Sequence, residues 1–505
     1  MMGFFDLPRE LRDEIYTYYA AQDGGYLYNQ RTRRLRAANG APIDLSFLQT
    51  CSRVAHEFRP VIFQTNTVTF RTGWVDRETS DRAASFATAL EWIYTKSAYQ
   101  LCRVRKDITV DMIERAGVDF PECVPLLHRL RGGHARHEPF PVQMVHDWRL
   151  WRHPPSTHRR FIKFMLALEK GTKSRWELWK VDEVLGQRPE QPDVASLLPG
   201  IPDPWVIPNA EDIASLKEQC ISWSSPKRYR PMCVDGSTKR YFSAAALAIQ
   251  FLNGLDPSVL SIIRKIVLDE VHASVAKPEC HGLGLVSIMQ HYPRINICRQ
   301  VDTKTTAITT ATATAITTAI TGNVGQPYFE EVVGRYKDGR TWDIDGDVDR
   351  VRVSQAFIRW FEEAVALSSR LSPDRFSVTF HSRNTASTLA LLKQMLEDAR
   401  WQRAIEPLAP RPISPLSLMD SCCFFSESFT RVMREIQQGE GNVRFDLGDL
   451  SVCDSNTAIP VDQESTPAQI GENWWAHFQG TYVEPSPYAG RKDLLQEYME
   501  DEVQD

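Results

Sequence analysis

A chain of 505 residues exceeds what one hydrophobic core can organise, so roughly two to four packed units are expected. Its 42% hydrophobic and 24% charged residues describe an ordinary globular protein, and a formal net charge of −5 excludes a global role in coating polyanions. The opening MMGFFDLPREL has no basic n-region and no glycine directly after the initiator methionine, and the run 241–252 is too short to span a bilayer.

Ten scattered cysteines read as reduced, mostly buried thiols. The expectation is an intracellular soluble protein, cytoplasmic or nuclear, without a membrane partner.

Residues 7–21 place Leu7, Leu11, Ile15, Tyr18 and Tyr19 at helical spacing. Asp6 is the expected N-cap, with Pro8 in the first turn. Asp23-Gly24-Gly25 ends this helix, and the following run with Arg31, Arg33, Arg34 and Arg36 reads as a hairpin or exposed loop. A second helix is predicted over 45–64, with Pro60 kinking or restarting it. TNTVTF (65–70) alternates β-branched and aromatic residues and should be a strand.

Residues 80–183 read as mainly helical, and 184–240, punctuated by prolines from Pro189 to Pro231, as loop. An αβ unit is expected over 241–304. It has helices at 242–253 and 282–293, a short helix opening at Asp256-Pro257, and strands at 264–270 and 294–301. The insert 305–322, built on a tract of Thr, Ala and Ile, reads as a poorly specified surface loop, aggregation-prone if extended. A second αβ unit (323–420) should hold helices 356–369 and 385–400 around a strand at 375–382. The remainder, 421–505, reads as an acidic C-terminal region; 440–505 hold 14 acidic against 3 basic residues.

LPRELRDEIY, followed by LSFLQTCSRVAHEFRPVIFQTNTVTF (45–70), resembles the F-box-like amino-terminal module (here 1–72) of a group of filamentous-fungal proteins. In that group a Leu-Pro-x-Glu-Leu-x-x-x-Ile-Tyr helix precedes a Leu-x-Thr-Cys helix and an NTF-like strand. RKIVLDEVHASVAKPECHGLGLVSIMQHYP (264–293) is similar to segments of the same group. The resemblance implies docking on the Skp-type linker subunit of a cullin–RING ubiquitin ligase, with the remaining chain selecting a protein substrate. It carries the docking role onto Leu7, Pro8, Glu10, Leu11 and Ile15.

Two departures from the pattern are the Arg-rich insert at 23–43 and the lack of a Trp after TCSRV. The alternative is a structural or scaffold protein in which these helices only close a core. The expected fold is α+β: a helical F-box-like module, then a mixed body of short strands alternating with helices. A degenerate leucine-rich-repeat-like stack fits that body, although no fixed 20–29-residue period is visible.

No catalytic motif is recognisable, so a non-enzymatic protein without cofactor or metal is expected. HGLGLVS, with Gly282 and Gly284, lacks a third glycine and reads as a helix start needing small residues. Asp343, Asp345, Asp347 and Asp349 alternate as in calcium loops, but Ser354 stands at position twelve where a bidentate Glu belongs, which favours a solvated acidic turn. His134 and His137 form the one tight histidine pair near Cys123, and no second pair completes a zinc site. His272, Cys280, His281, His291 and Cys298 read as structural. Residues 129–180 hold twelve Lys or Arg against four acids, interleaved with Trp148, Trp151, Trp176 and Trp179. Nucleic-acid binding there is the less favoured reading, beside a solvated helical face with core tryptophans.

Overall fold

Alternating runs such as TVTFR and FSVTFH become strands because their period of two puts one apolar row against a helical layer. The structure, a computed structural model, describes residues 3–103, 108–132, 154–170, 201–222, 239–303, 306, 350–382, 385–405, 427–446 and 469. Seven strands form one sheet: β1 (Tyr26–Asn29), β2 (Arg34–Ala37), β3 (Thr67–Arg71), β4 (Lys265–Glu270), β5 (Asn296–Asp302), β6 (Phe376–His381) and β7 (Val443–Phe445). Their order is β2-β1-β3-β4-β5-β6-β7. The β1–β2 hairpin is antiparallel, and all other neighbours are parallel.

Beyond the hairpin, strand order follows chain order without reversal. Right-handed crossovers then send successive connections to the same side of the sheet. Register agrees: Phe70, Leu268, Arg299, Val378 and Val443 are level across five strands and all buried. The residues between them point to the other face.

The helices are α1 (Arg9–Ala20), α2 (Ser52–Thr65), α3 (Arg77–Arg103), α4 (Val110–Asp119), α5 (Val124–Gly132), α6 (Pro155–Lys170) and α7 (Ala210–Ser222). They continue with α8 (Ala244–Asn253), α9 (Pro257–Leu260), α10 (Val286–His291), α11 (Arg350–Ser368), α12 (Thr385–Ile405) and α13 (Glu427–Gln438).

Three cores result among the described residues. The largest packs Leu247, Phe357, Phe361, Leu391 and Phe429 from the helices onto Phe380 and its sheet neighbours. A second, within the long insertion between β3 and β4, joins Phe86, Leu90, Met112, Phe161 and Ile213. The third holds Tyr16, Tyr26, Phe58 and Ile62 between α1, α2 and β1. Each such side chain contributes about 1.5–3 kcal/mol on burial.

The fold is mixed α and β, and the amino-terminal module is woven into it. That module is not purely helical: β1, β2 and β3 all join the common sheet. Gly25 permits the join with a left-handed φ of +71°, where a Cβ would lie 2.4 Å from the Thr67 carbonyl oxygen.

Other expectations need correction. Asp6 does not cap α1; its carboxylate accepts the Gly3 N–H at 2.7 Å within a 3-10 turn, and Pro8 is the N-cap. A residue before proline is driven out of the α region, and Leu7 is extended at ψ 141°, so the helix can begin only after Pro8. The second helix is split: a 3-10 turn at Ser46–Gln49 precedes α2, whose N-cap Cys51 accepts the Val54 N–H. α2 then continues through Pro60. Within the expected loop 184–240 lies α7. Asn209 and Asp212 cap it reciprocally (2.9 and 2.8 Å), and Ile213 and Leu216 are buried in the second core. The acidic end also begins with ordered structure, since α13 packs into the largest core and β7 completes the sheet.

Candidate docking surface

α1 turns its faces the opposite way from what its apolar stripe suggests. Arg12, Tyr16 and Ala20, one turn apart, are buried, while Leu11 (45% exposed), Ile15 (41%) and Tyr18 (89%) face outward at i, i+4 and i+7. Pro8 and Glu10 are exposed and Leu7 is half-buried. Of the ten exposed large hydrophobics among the described residues, six (Phe5, Leu11, Ile15, Tyr18, Tyr19 and Leu45) belong to this module. Exposed apolar residues are normally scattered singly, and here they are concentrated in one module.

The orientation is enforced by Glu57 on α2. Its Oε2 accepts from Arg12 Nε (3.0 Å) and the Tyr16 hydroxyl (2.9 Å), while Oε1 accepts from Arg12 Nη2 (3.0 Å) and Arg53 Nε (3.1 Å). Arg9 Nη1 lies 3.2 Å from the same Oε1. Arg12 also donates from Nη1 to the Leu7 carbonyl (2.6 Å), which fixes the Leu-Pro corner. These arginine bonds, Arg12 first, hold the Glu57 carboxyl at about 2 against the desolvation that opposes them. Burial, reinforced by Glu57, pushes the Tyr16 phenol up to about 12.

An aromatic cluster seals the same interface. The Tyr16 ring lies 5.7 Å from Phe47 and 5.6 Å from Phe58, and Tyr19 lies 4.8 Å from Phe47. At the far end, buried Asn66 donates to the Ala20 (2.8 Å) and Ile62 (2.9 Å) carbonyls and accepts the Gln22 N–H (2.9 Å). The asparagine of TNTVTF thus ties the ends of α1 and α2 at the threshold of β3. The stripe is therefore displayed from a clamped helix, and docking would require little ordering of that helix.

Five residues were singled out in the sequence; Leu11 and Ile15 share the displayed face, Pro8 and Glu10 lie exposed at its start, and Leu7 is partly tucked beneath. Arg12, Tyr16, Glu57 and Asn66, which hold the surface, carried no sequence signal of their partnership, since Arg12 and Glu57 stand 45 positions apart.

The remaining candidates do not assemble. Gly282 and Gly284 lie in a 3-10 segment where a Cβ would meet Leu367 Cδ1 at 2.8 Å and Ile249 Cδ1 at 2.6 Å, so packing explains them. His281 Nδ1 meets the Ser243 hydroxyl (2.6 Å) and its Nε2 the Ala276 carbonyl (3.0 Å). Burial first, then Arg299, push this imidazole down to about 3, and Ser243 caps α8. His272 stacks on Tyr241, and Cys298 lies on the sheet face away from the helices. Among the described residues no group of three His, Cys, Asp or Glu is arranged to hold a metal ion.

In the described part of the basic region, the Arg159 guanidinium sits 4.4 Å from the Tyr94 ring centroid and that of Arg160 5.5 Å from Phe120, both committed to the protein's own rings. His134, His137, Trp148, Trp151, Trp176, Trp179, the Asp343–Asp349 run and the Thr/Ala/Ile tract apart from Thr306 lie outside the described residues. Among described residues, no helix is long and apolar enough to cross a membrane. Comparison with family models, curated proteins and solved structures returns no match.

Proposed function

We propose that this chain is a non-enzymatic interaction protein that docks through α1. The favoured partner is a Skp-type linker subunit of a cullin–RING ligase, which would make the chain an F-box-like substrate adaptor. One observation carries the reading: Leu11, Ile15 and Tyr18 form an exposed apolar stripe on a helix whose other side, with Arg12, Tyr16 and Ala20, is buried and clamped by Glu57. An amphipathic helix offering residues at i, i+4 and i+7 suits a hydrophobic groove. The LPRELRDEIY motif names the class of groove.

The exposure of the stripe makes the test clean. Leu11→Asp with Ile15→Asp should abolish co-purification with the linker subunit while leaving the melting transition of the full-length protein in place. Failure of the unaltered protein to bind that subunit at micromolar concentration overturns the adaptor reading. The scaffold alternative would then stand, with α1 serving some other partner.

A further inference from the structure

The helices described above pack one side of the sheet, and the other side carries a charge pattern. Register places Arg71, Asp269, Gln300, Thr379 and Arg444 in one row across β3 to β7, on the face opposite Phe70 and Leu268. Arg36 pairs with Leu27, which is level with Thr69, so Arg34 and Arg36 of β2 extend the same face at its edge. Lys265 occupies the strand start on this face. Arg34, Arg36, Arg71, Lys265 and Arg444 are all exposed.

The acids here are Asp269 and Asp302. Asp269 is already matched, at 2.8 Å, by Arg71 Nε. Five cations against two anions leave this face at +3 on a chain whose formal net charge is −5. Among the described residues Arg34, Arg36, Lys265 and Arg444 have no ion-pair partner.

We infer that this open sheet face is a binding surface for an extended acidic segment of a partner protein, laid across the strands from the β2 arginines toward Arg444. Seven strands at about 4.8 Å spacing make the span about 29 Å, which eight or nine extended residues cover. Carboxylates would meet the arginines at the two ends. Gln300 and Thr379 between them supply hydrogen-bonding groups without charge.

A nucleic acid fits less well. A continuous phosphate backbone would cross Asp269 and Asp302, and the outward positions of the described strands hold no Phe, Tyr or Trp for base stacking. The inference goes beyond the α1 reading and does not depend on it. The two surfaces share no residue.

The test uses the full-length protein and a fluorescein-labelled peptide of about twelve alternating Glu and Ser residues, with a Gln/Ser peptide as control, read by anisotropy. The Glu peptide should bind at least about ten-fold tighter than the control and weaken markedly between about 50 and 300 mM salt. Combined Arg34→Glu, Arg36→Glu and Arg444→Glu should weaken it by about ten-fold or more with the melting transition preserved, because all three side chains are exposed. Leu11→Asp with Ile15→Asp should leave peptide binding unchanged, which separates this surface from the linker-docking one.

Equal binding of both peptides, or indifference to the arginine changes, overturns the inference. Tighter binding of an oligothymidylate of matched charge also overturns it. Absence of binding up to about 1 mM, including through occupation of the face by the chain's own acidic end, excludes a partner in trans.

Discussion

α1 and α8 are helices of 12 and 10 residues, each anchored by a glutamate–arginine pair, and they use that anchor oppositely. At α8, Glu270 accepts the first-turn N–H of Ala244 (2.9 Å) and is bound by Arg299 through Nη2 (2.6 Å) and Nε (3.0 Å). Arg299 also donates to the Pro278 carbonyl (2.7 Å) and stacks 4.5 Å from Trp360. The pair lies inside the largest layer, and α8 buries Ala244 through Ile249 and Leu252 around it. At α1, Glu57 draws in Arg12 and Tyr16, so the apolar residues are left outside. A buried ion pair in this protein therefore does not mark the dry side of an amphipathic helix. In α1 it is what displaces the hydrophobic stripe to the surface.

The largest effect should come from breaking the pair behind α8. Arg299→Ala leaves Glu270 buried without its cation, and such losses cost about 3–5 kcal/mol, readable as a lower urea midpoint. If the midpoint hardly moves, Glu270 is not held by Arg299 and the two anchors are not equivalent.

A pair of apolar truncations sharpens the contrast. Leu247→Ala in α8 should cost about 2–5 kcal/mol, whereas Leu11→Ala in α1 should stay within about 0.5 kcal/mol. A large loss from Leu11→Ala would show that α1 packs its stripe inward in solution.

The smallest effects are pH-dependent and of opposite sign at two carboxylates. Glu57 is held down at about 2, so its contribution is present above the ordinary 4.5 and lost as pH falls through that range toward 2. Hydrogen exchange in α1 should rise on acidification before the body unfolds, and Glu57→Gln should abolish that early step. Glu363 on α11 behaves in reverse. Burial, reinforced by nearby Glu279, pushes it up to about 7, against the Ser156 N–H and hydroxyl that donate to it at 2.9 and 2.8 Å and against the charge of Arg159.

Its protonated form is favoured by folding, so this contribution is full below 4.5 and lost as pH rises through about 7. The start of α6 should therefore exchange faster above neutrality than the intrinsic base-catalysed rate explains. Glu363→Gln should remove the excess.

Much of the secondary structure was legible in short windows. Alternation in TNTVTF and short apolar runs in KIVLDE, NICRQVD and FSVTFH marked four of the parallel strands, and Ser243 and Asp256 cap helices at or within two residues of where their patterns begin. Such features are set by steric and hydrogen-bonding preferences within a few residues, which a sequence carries directly. β7 and α7 escaped because one is three residues long and the other sits among prolines, where local composition outweighs a weak helical period.

What only the tertiary structure decided was direction. Leu7, Pro8, Glu10, Leu11 and Ile15 could be picked from a motif, but whether their helix faced in or out depended on Glu57, 45 residues beyond Arg12. The charge of the open sheet face likewise exists only once register brings Arg34, Arg71 and Arg444 onto one side. Local energies determine which elements form. Long-range pairing of buried charges and strands determines which surfaces they leave to the outside, because those partners share no sequence window.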